Sequence, residues 1–258
     1  MVIRRIRDHV ASHNWFAVAI DLGIVVVGVF LGTQANNWNE ARIERQDAAE
    51  YRREIIEDLK SNETDLASRK AYYAATRRHA LAALQALDTP AQPKGEAFVI
   101  DAYQASQVWL RPLTRTAYDE MVGAGLSRSI GDRATRAQLT AYYTQIRQFD
   151  VTALGLTSFR ERLRRTLPYS VQSAIREQCN DRVVTLPGGA QVASMPDRCD
   201  VTIEPALWKS SVAAIEAAKL SEDLTRHIAD IDQKLSGFDR FGKAARDLRT
   251  GLQTSDRG

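Results

Sequence analysis

The sequence predicts a mainly α-helical chain. One N-terminal transmembrane helix should continue into a long helix and an extramembrane helical bundle, with a small β-hairpin excursion. Three observations lead there. Residues 15–32 are apolar or glycine at every position except Asp21. Residues 40–87 contain neither Pro nor Gly and repeat their apolar side chains mostly at three and four spacing. Only residues 179–199 combine β-branched runs with a Pro-Gly-Gly turn.

The membrane segment comes first in the chain. The run from Trp15 to Gly32, extended by Thr33, Gln34 and Ala35, is just long enough for a hydrocarbon core of ~30 Å at 1.5 Å per residue. Trp15 and Trp38 bracket it as interface anchors, and Arg4, Arg5 and Arg7 make a basic head of residues 1–14. A buried core helix would need a polar face to turn to water, and this run has none. A cleavable signal peptide has an apolar stretch of roughly 7–15 residues, shorter than this one and without an acid, although Thr33-Gln34-Ala35 is a passable small-x-small site. The expectation is a retained single-pass anchor over 15–35. Its orientation is less sharply marked, because Arg42, Arg45, Arg52 and Arg53 nearly balance the head. Long domains translocate largely regardless of charge, so the head is expected in the cytoplasm and 36–253 outside. A cysteine pair, Cys179 and Cys199, suits an oxidising exterior.

Composition narrows the function classes. With 44% hydrophobic and 26% charged residues the chain is not wholly disordered. A net charge of +3 spread over interleaved signs argues against a nucleic-acid partner. The expected partners are the lipid bilayer, an unknown membrane protein, and a second copy of the chain through the span or through residues 40–87. Gly28 and Gly32 form a small-xxx-small face for such self-association; simple flexibility or close lipid packing is the alternative.

The stretch AIDLGIVVVGVFLGTQANNWNEAR resembles the signature of an uncharacterised family of bacterial single-span membrane proteins. That family has a basic head, an acid early in the span, a central glycine and a Gln-x-x-Asn-Trp-Asn-Glu exit. Asp21, Gly28, Gln34, Asn37, Trp38, Asn39 and Glu40 stand at the matching positions. Residues 117–143 are similar, more weakly, to a tyrosine and glycine-leucine segment of the family's distal domain. The resemblance implies a protein of the bacterial inner membrane with a helical periplasmic domain; it supplies no activity. Thr33 departs from the apolar residue usual there.

Downstream of the exit, 40–87 reads as one helix with an apolar seam of Ile55, Leu59, Leu66, Tyr73, Ala80, Leu84 and Leu87. The seam must pack on its own domain or, as a coiled coil, on a second copy. Asp65 and Arg69 look like a surface i,i+4 pair. Residues 88–96 are a loop. A short helix is expected over Glu96–Trp109, then another capped by Thr114 or Thr116, a glycine-rich junction at 122–132, and a strong helix over Arg133–Thr166. In the last of these, Leu139, Tyr142, Tyr143, Ile146 and Phe149 make a core stripe. The arginine run at 160–165 reads as a solvated face, with anionic lipid heads as the alternative. Strands at 183–186 and 190–193 would form a hairpin closed at its base by a Cys179–Cys199 bridge, and Pro205–Ala217 and Ser221 to about Gln253 return to helix. Residues 254–258 are a frayed tail.

The search for chemistry is mostly negative. His9, His13, His79 and His227 stand singly, without a second ligand at metal spacing. No P-loop, nucleophile elbow or dinucleotide fingerprint appears. No catalytic residue, cofactor or metal is expected, and the chain reads as an interaction protein and not an enzyme. Asp21, the one acid in the span, is the residue with most to explain: a carboxylate there costs on the order of 2.5–3.5 kcal/mol.

Overall fold

The computed structural model describes residues 15–109, 111–187, 189–196 and 198–254. The expected head, 1–14, and residues 255–258 of the tail lie outside the described residues. Helix α1, Trp15–Asp88, runs unbroken for 74 residues. At the rise of an α-helix that is about 110 Å. Its apolar window is long enough to cross a membrane, and none of that window is buried inside the chain. Among the described residues, the first buried one is Ala48. From there on α1 is the spine of a helical domain.

The apolar seam of α1 is covered by the last helix, α8 (Ser221–Thr254). Ile55, Leu59, Leu66 and Tyr73 are buried in one cluster with Ile231, Phe238, Phe241, Ala245, Leu248 and Leu252 of α8, and Ala80 is buried in another with Leu224 and Ile228. Flanking ion pairs give the direction. Glu63 pairs with Arg249 (2.6 Å), Lys70 with Asp239 (2.7 Å) and Arg77 with Asp232 (2.5 Å), so the two helices are antiparallel. The Lys70–Asp239 and Arg77–Asp232 pairs are exposed and contribute little to stability, typically about 0–1 kcal/mol each. Here they fix register. The seam therefore packs on its own domain.

Between α1 and α8 the chain wraps the spine: α2 (Glu96–Ala105), α3 (Thr116–Gly123), a 3₁₀ turn (Leu126–Arg128), α4 (Arg133–Ala153), α5 (Ser158–Thr166), α6 (Tyr169–Gln178), strands β1 (Arg182–Thr185) and β2 (Gln191–Ser194), and α7 (Pro205–Ala217). Two apolar clusters result. One lies along the middle of α1 with α3, α4 and most of α8. The other, at the far end of α1, gathers Phe98, Tyr103, Phe159, Leu163, Ile175, Trp208 and Leu224 from α2, α5, α6, α7 and the start of α8.

Several boundaries differ from the expectations. Helix α2 stops at Ala105 and not at Trp109, where the Ser106 hydroxyl donates to the Tyr103 carbonyl (2.6 Å) and residues beyond are taken up by side chains of α1. Neither Thr114 nor Thr116 caps α3; the Ala117 N–H is accepted by Asp58 of α1 at 3.1 Å. The helix expected over Arg133–Thr166 is two, broken at 154–157, where Gly155 interrupts the run. Ser221 opens α8 as its first residue, followed by Glu222 and Asp223 in the first turn. The hairpin pairs Arg182 with Ser194 and Thr185 with Gln191, one residue from the expected strand limits. At its tip Gly189 takes a left-handed conformation (φ 83°) that favours glycine. A disulfide joins Cys179 to Cys199 with the Cα atoms 5.4 Å apart. Closing a loop of that length restricts the unfolded chain by ~3 kcal/mol.

His227 joins α8 to two other elements. It is buried; its Nε2–H donates to the Ala105 carbonyl at 2.8 Å, and Nδ1 lies 3.0 Å from the Thr157 hydroxyl. Burial pushes its pKa below the ordinary value. The neutral ring therefore contributes stability that is complete above the unfolded value, about 6.5, and is lost as the pH falls through the depressed folded one. Asp58, Asp150 and Asp181, raised by burial, act with the opposite sign. Urea midpoints at pH 7.5 and 5.5 should separate the two. The parent is expected to lose more on acidification than His227→Gln, in which the three acids are unchanged.

Candidate functional site

Two regions of α1 draw together the residues with functional weight: the span with its exit, and a polar seam deep in the domain. In the span, Asp21 is half-exposed and lies six residues past Trp15, about 9 Å along the axis. None of the described residues hydrogen-bonds to its carboxylate. A Cβ added at Gly28 or Gly32 would meet nothing within 4 Å, so none of the described residues packs on this small-residue face. The Thr33 hydroxyl donates to the Phe30 carbonyl (2.8 Å), which satisfies the polar group inside the apolar run.

At the exit the helix does not break. Asn36 donates to Glu40 (2.7 Å), Arg42 to Asn39 (3.2 Å) and Arg45 to the Ala41 carbonyl (2.9 Å). These i,i+3 and i,i+4 contacts run along one helix and support it without tertiary help. Trp38 is exposed, as is Trp15 at the other end. Asn37 is exposed beside Trp38. The first tether to the domain is Glu44, which accepts from the Ser129 hydroxyl.

The polar seam was not anticipated. Asp58, Asn62, Asp65, Arg69, Tyr72 and Thr76 recur at four and three spacing and so share one face of α1, beside the apolar face that meets α8. Asn62 both donates to the Thr114 carbonyl (2.7 Å) and accepts from the Thr114 N–H (2.8 Å), holding that residue as a strand neighbour would. Ser68, one step aside, does the same for Ala193 of β2, accepting its N–H at 2.9 Å. At the centre Arg69 is 1% exposed. It donates to Asp65 (2.6 Å) and to Asp150 of α4 (3.5 Å). Asp150 also accepts the Leu113 N–H at 2.9 Å. Arg111 closes the group, 3.9 Å from Asp65, and donates to the Gly189 carbonyl of the hairpin (3.0 Å). Burial pushes the Asp150 carboxyl above the usual range, against the pull of the Leu113 N–H and Arg69. The pair read from sequence as a surface i,i+4 bridge is thus the centre of a buried network.

The other expected charges are also engaged within the chain. Arg160 donates to the Ser106 carbonyl, Arg162 to Asp223 and the Ala218 carbonyl, and Arg164 to Ser106 and Gln107 while lying 3.6 Å over the Tyr103 ring. The run at 160–165 is therefore not an open basic face; of its arginines, Arg165 points outward, 80% exposed. His79 pairs with Asp101 at 2.7 Å. Among the described residues no group of His, Cys, Asp and Glu is placed to hold a metal ion.

No family model, curated protein or solved structure matches the chain. Function has to be argued from the geometry above.

Arg69 gives the direct test of the seam. Removing it leaves two carboxylates buried without their cation, which costs about 3–5 kcal/mol. Asp150→Asn keeps an acceptor for the Leu113 N–H and should cost only about 1–2 kcal/mol. Urea unfolding of the full chain, followed by tryptophan fluorescence, should rank Arg69→Met well below Asp150→Asn and both below the parent.

Proposed function

We propose that the chain is a membrane-anchored helical scaffold that holds an interaction domain at a fixed height and rotational phase beside the bilayer. Its partner would be a second membrane protein or another copy of the chain. What carries this proposal is the continuity of α1, in which the apolar span and the spine of the domain are one helix. The titratable groups that converge do so to hold helices together, which suits a binding protein and not an enzyme. The setting we infer is a bacterial inner membrane, with the basic head in the cytoplasm and the domain in the periplasm. The Cys179–Cys199 bridge favours an oxidising compartment, and the likeness of residues 19–42 to a bacterial single-span signature points the same way.

Two measurements test it. Alkaline phosphatase fused to the C-terminus should be active and a cytosolic-type fluorescent protein dark; the reverse pattern would invert the topology. For the post itself, photo-crosslinkers on the domain should trap a reproducible partner in native membranes. Inserting Gly-Gly-Ser-Gly after Glu40 should alter that pattern, because it breaks both height and phase. An unchanged pattern would show that a flexible tether suffices.

Asp21 supports a second function, an accessory subunit of an ion-driven or signalling complex. It is the one ionisable residue of the apolar run, and none of the described residues pairs with it. Asp21→Asn keeps size and hydrogen bonding but removes the charge. Loss of function in both Asp21→Asn and Asp21→Leu, with assembly intact, would favour proton transfer. Tolerance of Asn with failure of Leu would mark a polar contact between helices.

A further inference from the structure

The cleft between α4 and α8 contains a buried cation that the scaffold does not use. It encloses about 650 Å³, within the range of small-molecule sites. Phe149, Leu156 and Phe241 form apolar walls, and Gln148 and Gln233 stand on its rim. Gly237 sits on the floor. A Cβ there would overlap the Phe149 ring, so the bare backbone is what lets that ring approach α8 so closely.

Lys234 of α8 lines this cleft. The residue is 5% exposed, and its ammonium lies 5.2 Å from the centre of the Tyr73 ring. Among the described residues it has no carboxylate within ion-pairing distance. That sets it apart from Arg69 and Lys94, whose side chains are as deeply buried. Arg69 has Asp65 and Asp150, and Lys94 has Glu216 at 2.8 Å. A ring face offsets part of the cost of burying an ammonium, but a buried charge without a counter-ion is otherwise avoided. Burial holds its pKa below the usual lysine value. Arg240 adds a second cation to the lining; its guanidinium rests over Phe241 at 4.7 Å and makes no ion pair among the described residues. Asp230, half-buried, is the one acid there. The cleft thus has a surplus of positive charge set among aromatic walls.

We infer that this cleft binds a small organic anion, a carboxylate on an aromatic or branched apolar body, with Lys234 as its counter-ion and Phe149 and Phe241 against its apolar part. The carboxylate supplies the partner the ammonium lacks, and Arg240 closes over it from the rim. The ligand is a soluble molecule and not a membrane lipid. Tyr73, beside the ammonium, lies some 55–60 Å along α1 from the end of the apolar run.

The probe is 4-fluorophenylacetate, with the neutral 4-fluorophenylacetamide as its isostere, titrated by fluorine NMR into the full chain in nanodiscs. The acid should bind saturably and at least tenfold more tightly than the amide, a difference of about 1.4 kcal/mol. Lys234→Met should reduce the acid to the affinity of the amide, and Lys243→Met, on the exposed side of the same helix, should change nothing. Because it removes a buried charge with no carboxylate partner, Lys234→Met should also melt at or above the parent. Equal binding of acid and amide would overturn the site, as would no saturation by about 10 mM or full binding by a folded Lys234→Met protein. A clearly lower melting point for that variant would assign the ammonium to the Tyr73 contact instead. Competition by inorganic phosphate as effective as the acid would remove the apolar half of the site. None of these outcomes depends on topology or on the scaffold function, so the two proposals fail separately.

Discussion

A guanidinium buried between two carboxylates is the contact on which the domain's assembly turns. Arg69 lies on the spine, Asp65 one turn before it, and Asp150 on α4. Through Asp150 the network holds the Leu113 N–H, and through Arg111 it reaches the hairpin. Without it, α4, the segment after α2 and the β excursion would have no common anchor on α1. Such a cluster is a weak source of net stability, because its desolvation offsets most of its attraction. What it supplies is uniqueness. An apolar face tolerates small slips, whereas a slip of α4 along α1 would leave charges buried and unpaired.

Two adjacent faces of α1 therefore do different work. One is apolar and takes α8 along its length. The other is polar and holds backbone groups that have no secondary-structure partner: Ala117 by Asp58, Thr114 by Asn62, Ala193 by Ser68. Buried backbone donors need partners somewhere. Here a helix provides them with side chains, which explains how an irregular segment around 111–115 lies inside the domain without a sheet to receive it. The same supply explains the α3 start, whose cap comes from 59 residues earlier in the chain.

How much of this was legible depends on how local each signal is. The apolar run, the helices at 205–217 and 221–254 and the hairpin with its paired cysteines are written in neighbouring residues, and they stand where the sequence puts them to within a residue or so. The network is not local. Asp65 and Arg69 show the same i,i+4 pattern whether they face water or a core, and what decides is Asp150, 81 positions away from Arg69. Arginines 160, 162 and 164 likewise find partners in other elements, so a run that reads as a basic face closes on itself. The break at 154–157 was hidden because helical stripes continue on both sides of it. Polar residues at 58, 62, 65, 69, 72 and 76 keep four and three spacing, as any one face of a helix does, so their pattern alone does not separate a buried seam from a solvated one.

The segment from Asn36 to Asp47 lies between the apolar run and the packed spine and is exposed along its whole length. An isolated helix of that length would be marginal, because nucleation is costly. It does not have to nucleate. The apolar run before it and the packed spine after it are already helical, so this segment only propagates, at one hydrogen bond per residue fixed. The Asn36–Glu40 and Arg42–Asn39 contacts add to that without needing a neighbour. Breaking the helix here would require giving up continuity between two helical segments, and no Gly or Pro is present to ease it. Stiffness in this stretch is thus inherited from both ends. A rotation or tilt imposed on the apolar run passes along the same backbone to Arg69 and its carboxylates, and through them to every element the polar seam holds.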